Sequence, residues 1–207
     1  EPVECSARHI RVFDDRSIAV VVPAYNEEVL IGQTIAGMPD YIDHVIVVDD
    51  CSPDGTYAAA QAAAGPRVVV ERLPENQGVG GAVIHGHKIA MDLGADVLVV
   101  MAGDDQMDPE ALPKLLKPIT EQGYGFAKGN RFFSTSSLAG MPRHRVAGSM
   151  ILTFLNKAAS GYWHLVDPQN GYTAVTRDAL ELVPLEKVSR RYEFENDLLI
   201  WLNIASV

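Results

Sequence analysis

Cysteine is scarce. Two residues, Cys5 and Cys51, occur in 207. That excludes a disulfide framework and a four-cysteine zinc site, and it fits reduced thiols in a cytosolic protein. No run approaches 18 consecutive apolar residues, which argues against a membrane-spanning helix; the longest runs, at 18–22 and 97–102, have strand length. The first fifteen residues carry charges throughout and lack the apolar stretch of a secretory leader. With 17 glycines and 12 prolines the chain is neither collagenous nor of disordered composition. Basic charge is also short. Lysine and arginine number 17 against 27 acidic residues, for a net charge of −10, which argues against a general nucleic-acid partner. The length fits one domain with a core large enough to need no covalent staple.

Acidic residues are missing altogether from 122–166, a stretch that holds Lys128, Arg131, Arg143, Arg145 and Lys157. Either the spacing is chance, or this is a basic wall facing an anionic ligand, with the acids reserved for another task such as a metal.

Short β-branched runs at 18–22, 44–48, 67–72 and 96–101 alternate with helix-like stretches at 27–38, 56–64, 79–93 and 109–121. The spacing is that of βαβ units, and the runs are continuous rather than alternating, as in strands covered on both faces. Pro109 suits a first helical turn with Asp108 as its cap. Beyond residue 125 the pattern loosens, with strands expected at 125–128 and 172–176 and helices at 145–159 and 193–203. The sequence stops in or just after that last helix, so the natural chain is expected to continue past Val207. The whole reads as one open α/β domain behind an extension at 1–16, and such sheets bind ligands beyond the carboxyl ends of their strands.

The strand ends lack the usual nucleotide loops. The first strand is followed by Pro23-Ala24-Tyr25-Asn26-Glu27-Glu28, not by the glycine pattern of a dinucleotide fold, a P-loop, or the Gly-rich basic loop of a sugar nucleotidyltransferase. A helix start favours the glutamates but does not explain Tyr25. The second strand ends in Asp49-Asp50-Cys51-Ser52-Pro53-Asp54-Gly55-Thr56. A turn accounts for Asp54, whereas two adjacent carboxylates at a strand end need donors or a ligand. After the third strand, Asn76-Gln77-Gly78-Val79-Gly80-Gly81 opens a helix, either as a tight turn or as a close approach to a ligand. After the fourth, Ala102-Gly103-Asp104-Asp105-Gln106-Met107-Asp108-Pro109 is either an acidic turn with a cap or a pair of oxygen ligands, Asp104 and Gln106, for a divalent cation.

Together with Gly129-Asn130-Arg131-Phe132 and Asp167-Pro168-Gln169-Asn170-Gly171-Tyr172, these segments run in order along about 150 residues. The chain resembles glycosyltransferase family 2 and, within it, the dolichol- and polyprenyl-phosphate sugar transferases. The resemblance implies a GT-A fold, a Rossmann-like and mostly parallel sheet with helices on both faces. It implies that Pro23, Ala24, Tyr25, Glu27, Asp50, Gly103 and Asp104 hold a GDP- or UDP-sugar, with Mg²⁺ or Mn²⁺ on Asp104 and Gln106. Arg131 would meet a phosphate and assist catalysis, and residues 167–172 would line the sugar side. In Glu195-Asn196-Asp197, Asp197 would be the base where one is needed.

The family's Asp-x-Asp would begin at residue 102, where this chain has alanine. Asp104, the carboxylate expected on the metal, is retained. The expected reaction is inverting transfer of a sugar to a polyprenyl phosphate at the cytoplasmic face of a membrane, with Arg143 and Arg145 facing the acceptor's phosphate. A transferase acting on a sugar hydroxyl, or a non-catalytic nucleotide-sugar-binding domain, are the alternatives. His85 and His87, two apart on one helix, are expected to pack or to face solvent, Cys51 to serve the turn, and Trp163 and His164 to pack or to touch sugar.

Overall fold

The computed structural model describes residues 16–103, 107, 109–129, 171–191 and 193–207. The β-branched runs form strands β1 (Ile18–Ala24), β2 (His44–Asp49), β3 (Val68–Arg72) and β4 (Val97–Val100). Two shorter strands follow, β5 (Phe126–Lys128) and β6 (Thr173–Thr176). The helices are α1 (Ile31–Ala36), α2 (Thr56–Ala63), α3 (Val79–Asp92), α4 (Leu112–Gln122), α5 (Arg177–Glu181) and α6 (Phe194–Ile204). A single 3-10 turn, Pro109–Ala111, leads into α4.

These strands make one sheet in the order β3-β2-β1-β4-β6-β5. The first four are parallel, with Val20 of β1 opposite Val45 of β2 on one side and Val99 of β4 on the other. β6 runs antiparallel to both β4 and β5. The mostly parallel sheet expected from the sequence is therefore present.

Successive residues of a strand point to opposite faces, so a continuous apolar run feeds two cores. Ile18, Val20 and Val22 pack with Ile31, Ile35, Leu112, Leu116 and Ile119 on the α1, α2 and α4 side. Ala19 and Val21 pack with Val83, Ala90, Leu180, Leu198 and Leu202 on the α3, α5 and α6 side. Each of the valine, leucine and isoleucine side chains among them contributes roughly 1.5–3 kcal/mol by leaving water. Gly86 lets α3 lie directly on β1, because a Cβ there would run into the Cγ1 of Val21.

Three details differ from the sequence reading. The first helix starts at Ile31 rather than at residue 27, because residues 26–28 are held by the neighbouring strand-end loop and make only a turn, in which Leu30 and Ile31 donate to the Glu27 carbonyl. Arg67 is not a strand residue; its guanidinium donates to the carbonyls of Met38 and Ile42, fastening the connection before β2. Helix α5 was not expected, although Thr176 caps it by accepting from the Ala179 amide at 3.2 Å. The expected cap Asp108 and the helix at 145–159 lie outside the described residues.

Candidate active site

The carboxyl ends of β1 and β2 carry two loops fastened to each other by hydrogen bonds. The Asn26 amide donates to Ser52 Oγ at 3.1 Å, the Glu27 amide to Thr56 Oγ1 at 2.8 Å, and the Gly55 amide to Glu28 Oε2 at 3.0 Å. Asn26 and Cys51 adopt left-handed backbone, with φ of 60° and 58°. That conformation is tolerated by asparagine and uncommon for cysteine. Asp54 accepts from the side chain and backbone of Thr56, and these bonds hold its carboxyl below the usual carboxylate range.

The adjacent carboxylates at the end of β2 find separate donors. Asp49, fully buried, accepts from the Ser52 amide at 3.2 Å and pairs with Arg72 Nε at 3.3 Å. Arg72 also donates to the Ser52 carbonyl and stacks over the Tyr57 ring. Asp50 is 4% exposed, and its two oxygens accept from the amides of Gln77 and Gly78 at 2.7 and 2.8 Å. These amides lie at the positive end of α3, so β2 supplies a carboxylate to that helix N-terminus. Asn76 closes the loop by donating to the Asp50 carbonyl.

The glycines at the start of α3 serve a close approach, but the partner is the chain itself. A Cβ on Gly78 would stand 2.7 Å from the Arg190 carbonyl oxygen, and one on Gly80 2.6 Å from Phe194 Cβ and 2.7 Å from the Ser189 carbonyl oxygen. Gly78 also has φ of +84°. With no side chains in the way, the turn before α6 settles against α3, and the Gly81 amide donates to the Arg190 carbonyl.

Two cavities open along this edge. The first, about 370 Å³, is lined by Pro23, Ala24, Tyr25, Glu27, Asp50 and Asn76, with Gly78, Val79, Ala82 and Arg191. The second, about 490 Å³, shares Pro23, Val79 and Arg191 with the first and continues over an apolar floor that includes Val83, Val100, Phe126 and Leu198. Both fall within the usual range for small-molecule sites, about 300–1,000 Å³. Polar groups in the second are Arg191, Lys128, Thr173, Glu195 and Asn196. The Lys128 side chain is 2% exposed, and its Nζ lies 3.3 Å from Glu195 Oε2.

Of the residues singled out in the sequence, Pro23, Ala24, Tyr25, Glu27 and Asp50 are brought together around the first cavity. Tyr25 is 47% exposed, a ring ready for a planar partner. Gly103 is turned toward α1: its carbonyl accepts from Thr34 Oγ1, a Cβ on it would lie 3.2 Å from Ile31 Cδ1, and it lines neither cavity. Asp197 also lines neither, and its Oδ2 accepts from the Ser189 amide at 2.8 Å. Residues two apart on a helix face different ways, so with Asp197 on the turn it is Glu195 that reaches the second cavity. Asp104, Gln106, Arg131, Arg143, Arg145, Trp163 and His164 lie outside the described residues. Among the described residues no three histidine, cysteine or acidic side chains gather to hold a metal. Asn76, Lys128 and Arg191 also line the cavities; Asn76 belongs to the loop motif before α3 and Lys128 to the acid-free basic stretch, whereas the Arg190-Arg191 pair late in the chain carries no motif. His87 is buried with both ring nitrogens unpartnered among the described residues, which pushes its pKa down to about 4.

A cleft at the carboxyl ends of parallel strands, lined by Tyr25, Glu27 and Asp50, is where an open α/β sheet takes its ligand. The chain belongs to glycosyl transferase family 2, whose model matches residues 19–183, and it is a glycosyltransferase. It is 30% identical over 201 residues to the UDP-N-acetylglucosamine–dolichyl-phosphate N-acetylglucosaminyltransferase of Methanococcus voltae, covering 90% of this chain and 80% of that one. It is 32% identical over 186 residues to the undecaprenyl-phosphate mannosyltransferase of Micrococcus luteus, covering 87% and 75%. Among solved structures, glucosyl-3-phosphoglycerate synthase of Mycobacterium tuberculosis with Mn²⁺, UDP and phosphoglyceric acid superposes with a TM-score of 0.67 at 26% identity. The match covers 89% of this chain and 63% of that one.

Proposed function

We propose that this chain transfers a sugar, with inversion at the anomeric carbon, from a nucleotide-diphosphate sugar to a polyprenyl phosphate. The observation that carries the reading is the convergence of Tyr25, Glu27, Asp50 and Asn76 on one cavity that shares Pro23, Val79 and Arg191 with a second. The base and ribose would occupy the first, held by Tyr25 and Glu27 on a wall that Asp50 keeps rigid. The sugar would extend into the second, beside Glu195 and Thr173. The polyprenyl-phosphate relatives support the acceptor class.

An acceptor phosphate is already anionic. Its oxygen forms the bond to the anomeric carbon as the bond to the departing diphosphate breaks, and no proton need be removed. That agrees with Asp197, the expected base, being tied to a backbone amide. Of the described carboxylates, Asp50 has both oxygens on amides and Glu195 is paired with Lys128, so neither suits a cation. A divalent ion would rest on Asp104 and Gln106, and Mn²⁺ in the mycobacterial structure supports that requirement. When bound it supplies charge neutralisation for the diphosphate. Arg131 would assist at a phosphate, and Arg143 and Arg145 would receive the lipid phosphate. Among the described residues no helix is long and apolar enough to cross a membrane. The chain would meet its lipid at the cytoplasmic membrane surface.

The test is transfer from UDP-N-acetylglucosamine, UDP-glucose and GDP-mannose to a short polyprenyl phosphate, with Mn²⁺ or with EDTA, beside a neutral sugar acceptor. Metal-dependent product on the lipid phosphate is expected. Product on the neutral hydroxyl alone would overturn the acceptor assignment.

A further inference from the structure

We propose that Arg191 is a phosphate-contacting residue, its guanidinium holding the diphosphate of the nucleotide sugar at the seam between the two cavities. This rests on the nucleotide-sugar reading above. A donor with its nucleoside in the first cavity and its sugar in the second must lay its diphosphate across the shared wall. That wall is formed by Pro23, Val79 and Arg191.

Charge singles out Arg191. A diphosphate approaching this edge meets Glu27, Asp50 and Glu195, all of which line the cavities. The amides before α3, the usual anion receptor of such a fold, are engaged by Asp50. Among the described residues two cations line the cavities, Lys128 and Arg191. Lys128 is paired with Glu195, whereas Arg191 has no carboxylate partner among the described residues. Its neighbour Arg190 is engaged by Gln77 Oε1 at 3.0 Å, off the seam.

The backbone of Arg191 is held even though its side chain is exposed. Gly78 lies under it, with the position of a missing Cβ 3.0 Å from Arg191 Cγ and 3.4 Å from its Cα. Gly80 accommodates the preceding carbonyls, and the Gly81 amide anchors Arg190. The glycine cluster at the start of α3 thus has the effect of delivering one guanidinium to the seam. A planar fork of donors suits two phosphate oxygens at once, and an ammonium at the same place would match them less well.

The experiment is calorimetric titration of uridine, UMP and UDP, with the guanosine series in parallel, into wild type, Arg191→Gln, Arg191→Lys and Arg190→Gln. Arg191→Gln is expected to weaken UDP or GDP about tenfold while the nucleoside stays within about twofold; Arg191→Lys is expected to lose about threefold. The loss should persist in EDTA and shrink as salt is raised. Arg190→Gln, an equal change of charge off the seam, should leave the diphosphate-to-nucleoside ratio unchanged. Equal losses for nucleoside and diphosphate would make Arg191 structural, and equal effects of the two arginines would reduce the contact to a long-range field. Unchanged diphosphate affinity with a raised KM for polyprenyl phosphate would move the residue to the acceptor. Each of these three overturns the inference and leaves the nucleotide-sugar reading standing. Wild type that binds neither series removes that reading and the inference with it.

Discussion

The two cavities share a wall but are held by different forces. Around the first, backbone amides and side-chain oxygens cross-link the ends of β1 and β2 to the start of α3, with Asp50 at the centre. The second lies over the parallel-to-antiparallel junction of the sheet, on an apolar floor with one partly buried ion pair. Hydrogen bonds fix direction and leave little choice of ligand geometry. An apolar floor with a few polar groups tolerates variation in the group it receives. On the function proposed above, the first wall would receive the nucleotide and the second the sugar, which differs between the N-acetylglucosaminyl- and mannosyltransferase relatives.

Asp50→Ala offers the strongest break in that contrast. It leaves the Gln77 and Gly78 amides unpartnered in a buried place, at a cost of about 3 kcal/mol. Denaturant unfolding should show that loss, and UDP or GDP binding should fall with it at temperatures where the chain remains folded. A stability within about 0.5 kcal/mol of wild type would show that the hydrogen-bonded wall is not held by this carboxylate.

Acid probes the helix between the two walls. His87 on α3 has its folded pKa pushed down to about 4 from 6.5 by complete burial. The folded state keeps the ring neutral while the unfolded chain protonates it below pH 6.5. This contribution to stability is therefore fully present above pH 6.5 and is lost as pH falls toward 4, by about 3 kcal/mol in all. His87→Leu should flatten that part of the stability–pH curve, and an unchanged slope would place the acid sensitivity elsewhere.

The second cavity is expected to respond less. Lys128→Met strips Glu195 of its partner at a position 29% exposed, which should cost about 2 kcal/mol, below the value for a fully buried pair. Adding Glu195→Leu should recover part of that loss, a non-additivity readable in a double-mutant cycle. Simple addition would mean that the pair is not coupled. Smallest of all, Glu181→Ala breaks only the exposed Arg177–Glu181 pair of α5 and should change stability by about 0.5 kcal/mol or less. A larger loss would show that α5 carries more of the second core than its packing indicates.

The parallel half of the sheet was legible because four β-branched runs at regular spacing admit few other folds, and the residues just beyond them had to share an edge. That logic put Tyr25, Glu27 and Asp50 at one edge, while the ligand expected there came from the family resemblance. The partners of Asp50 were not legible, because its donors come from residues 27 and 28 positions further on and are main-chain groups that any sequence offers. The Gly78-Val79-Gly80-Gly81 cluster announced a close approach without saying to what. The answer lay at 189–194, in a turn whose residues carry no pattern. Asp197 and Glu195 illustrate the same limit. Both acids stand in one short motif, and which of them reaches the cavity depends on the rotation of α6, set by Phe194, Leu198 and Leu202 in the core.

The contact between Gln77 and Arg190 spans 113 positions of sequence. During synthesis at about 5–20 residues per second, β1, β2 and α3 leave the ribosome several seconds before the turn that meets them. For that interval the wall of the first cavity has no Arg191, and Gly78 and Gly80 have no neighbouring backbone over them. Closing so long a loop is the slow, entropically costly part of assembling the site. A nucleotide that bridges the early wall and the late turn would therefore act on maturation as well as on turnover, drawing newly made chains into the competent form.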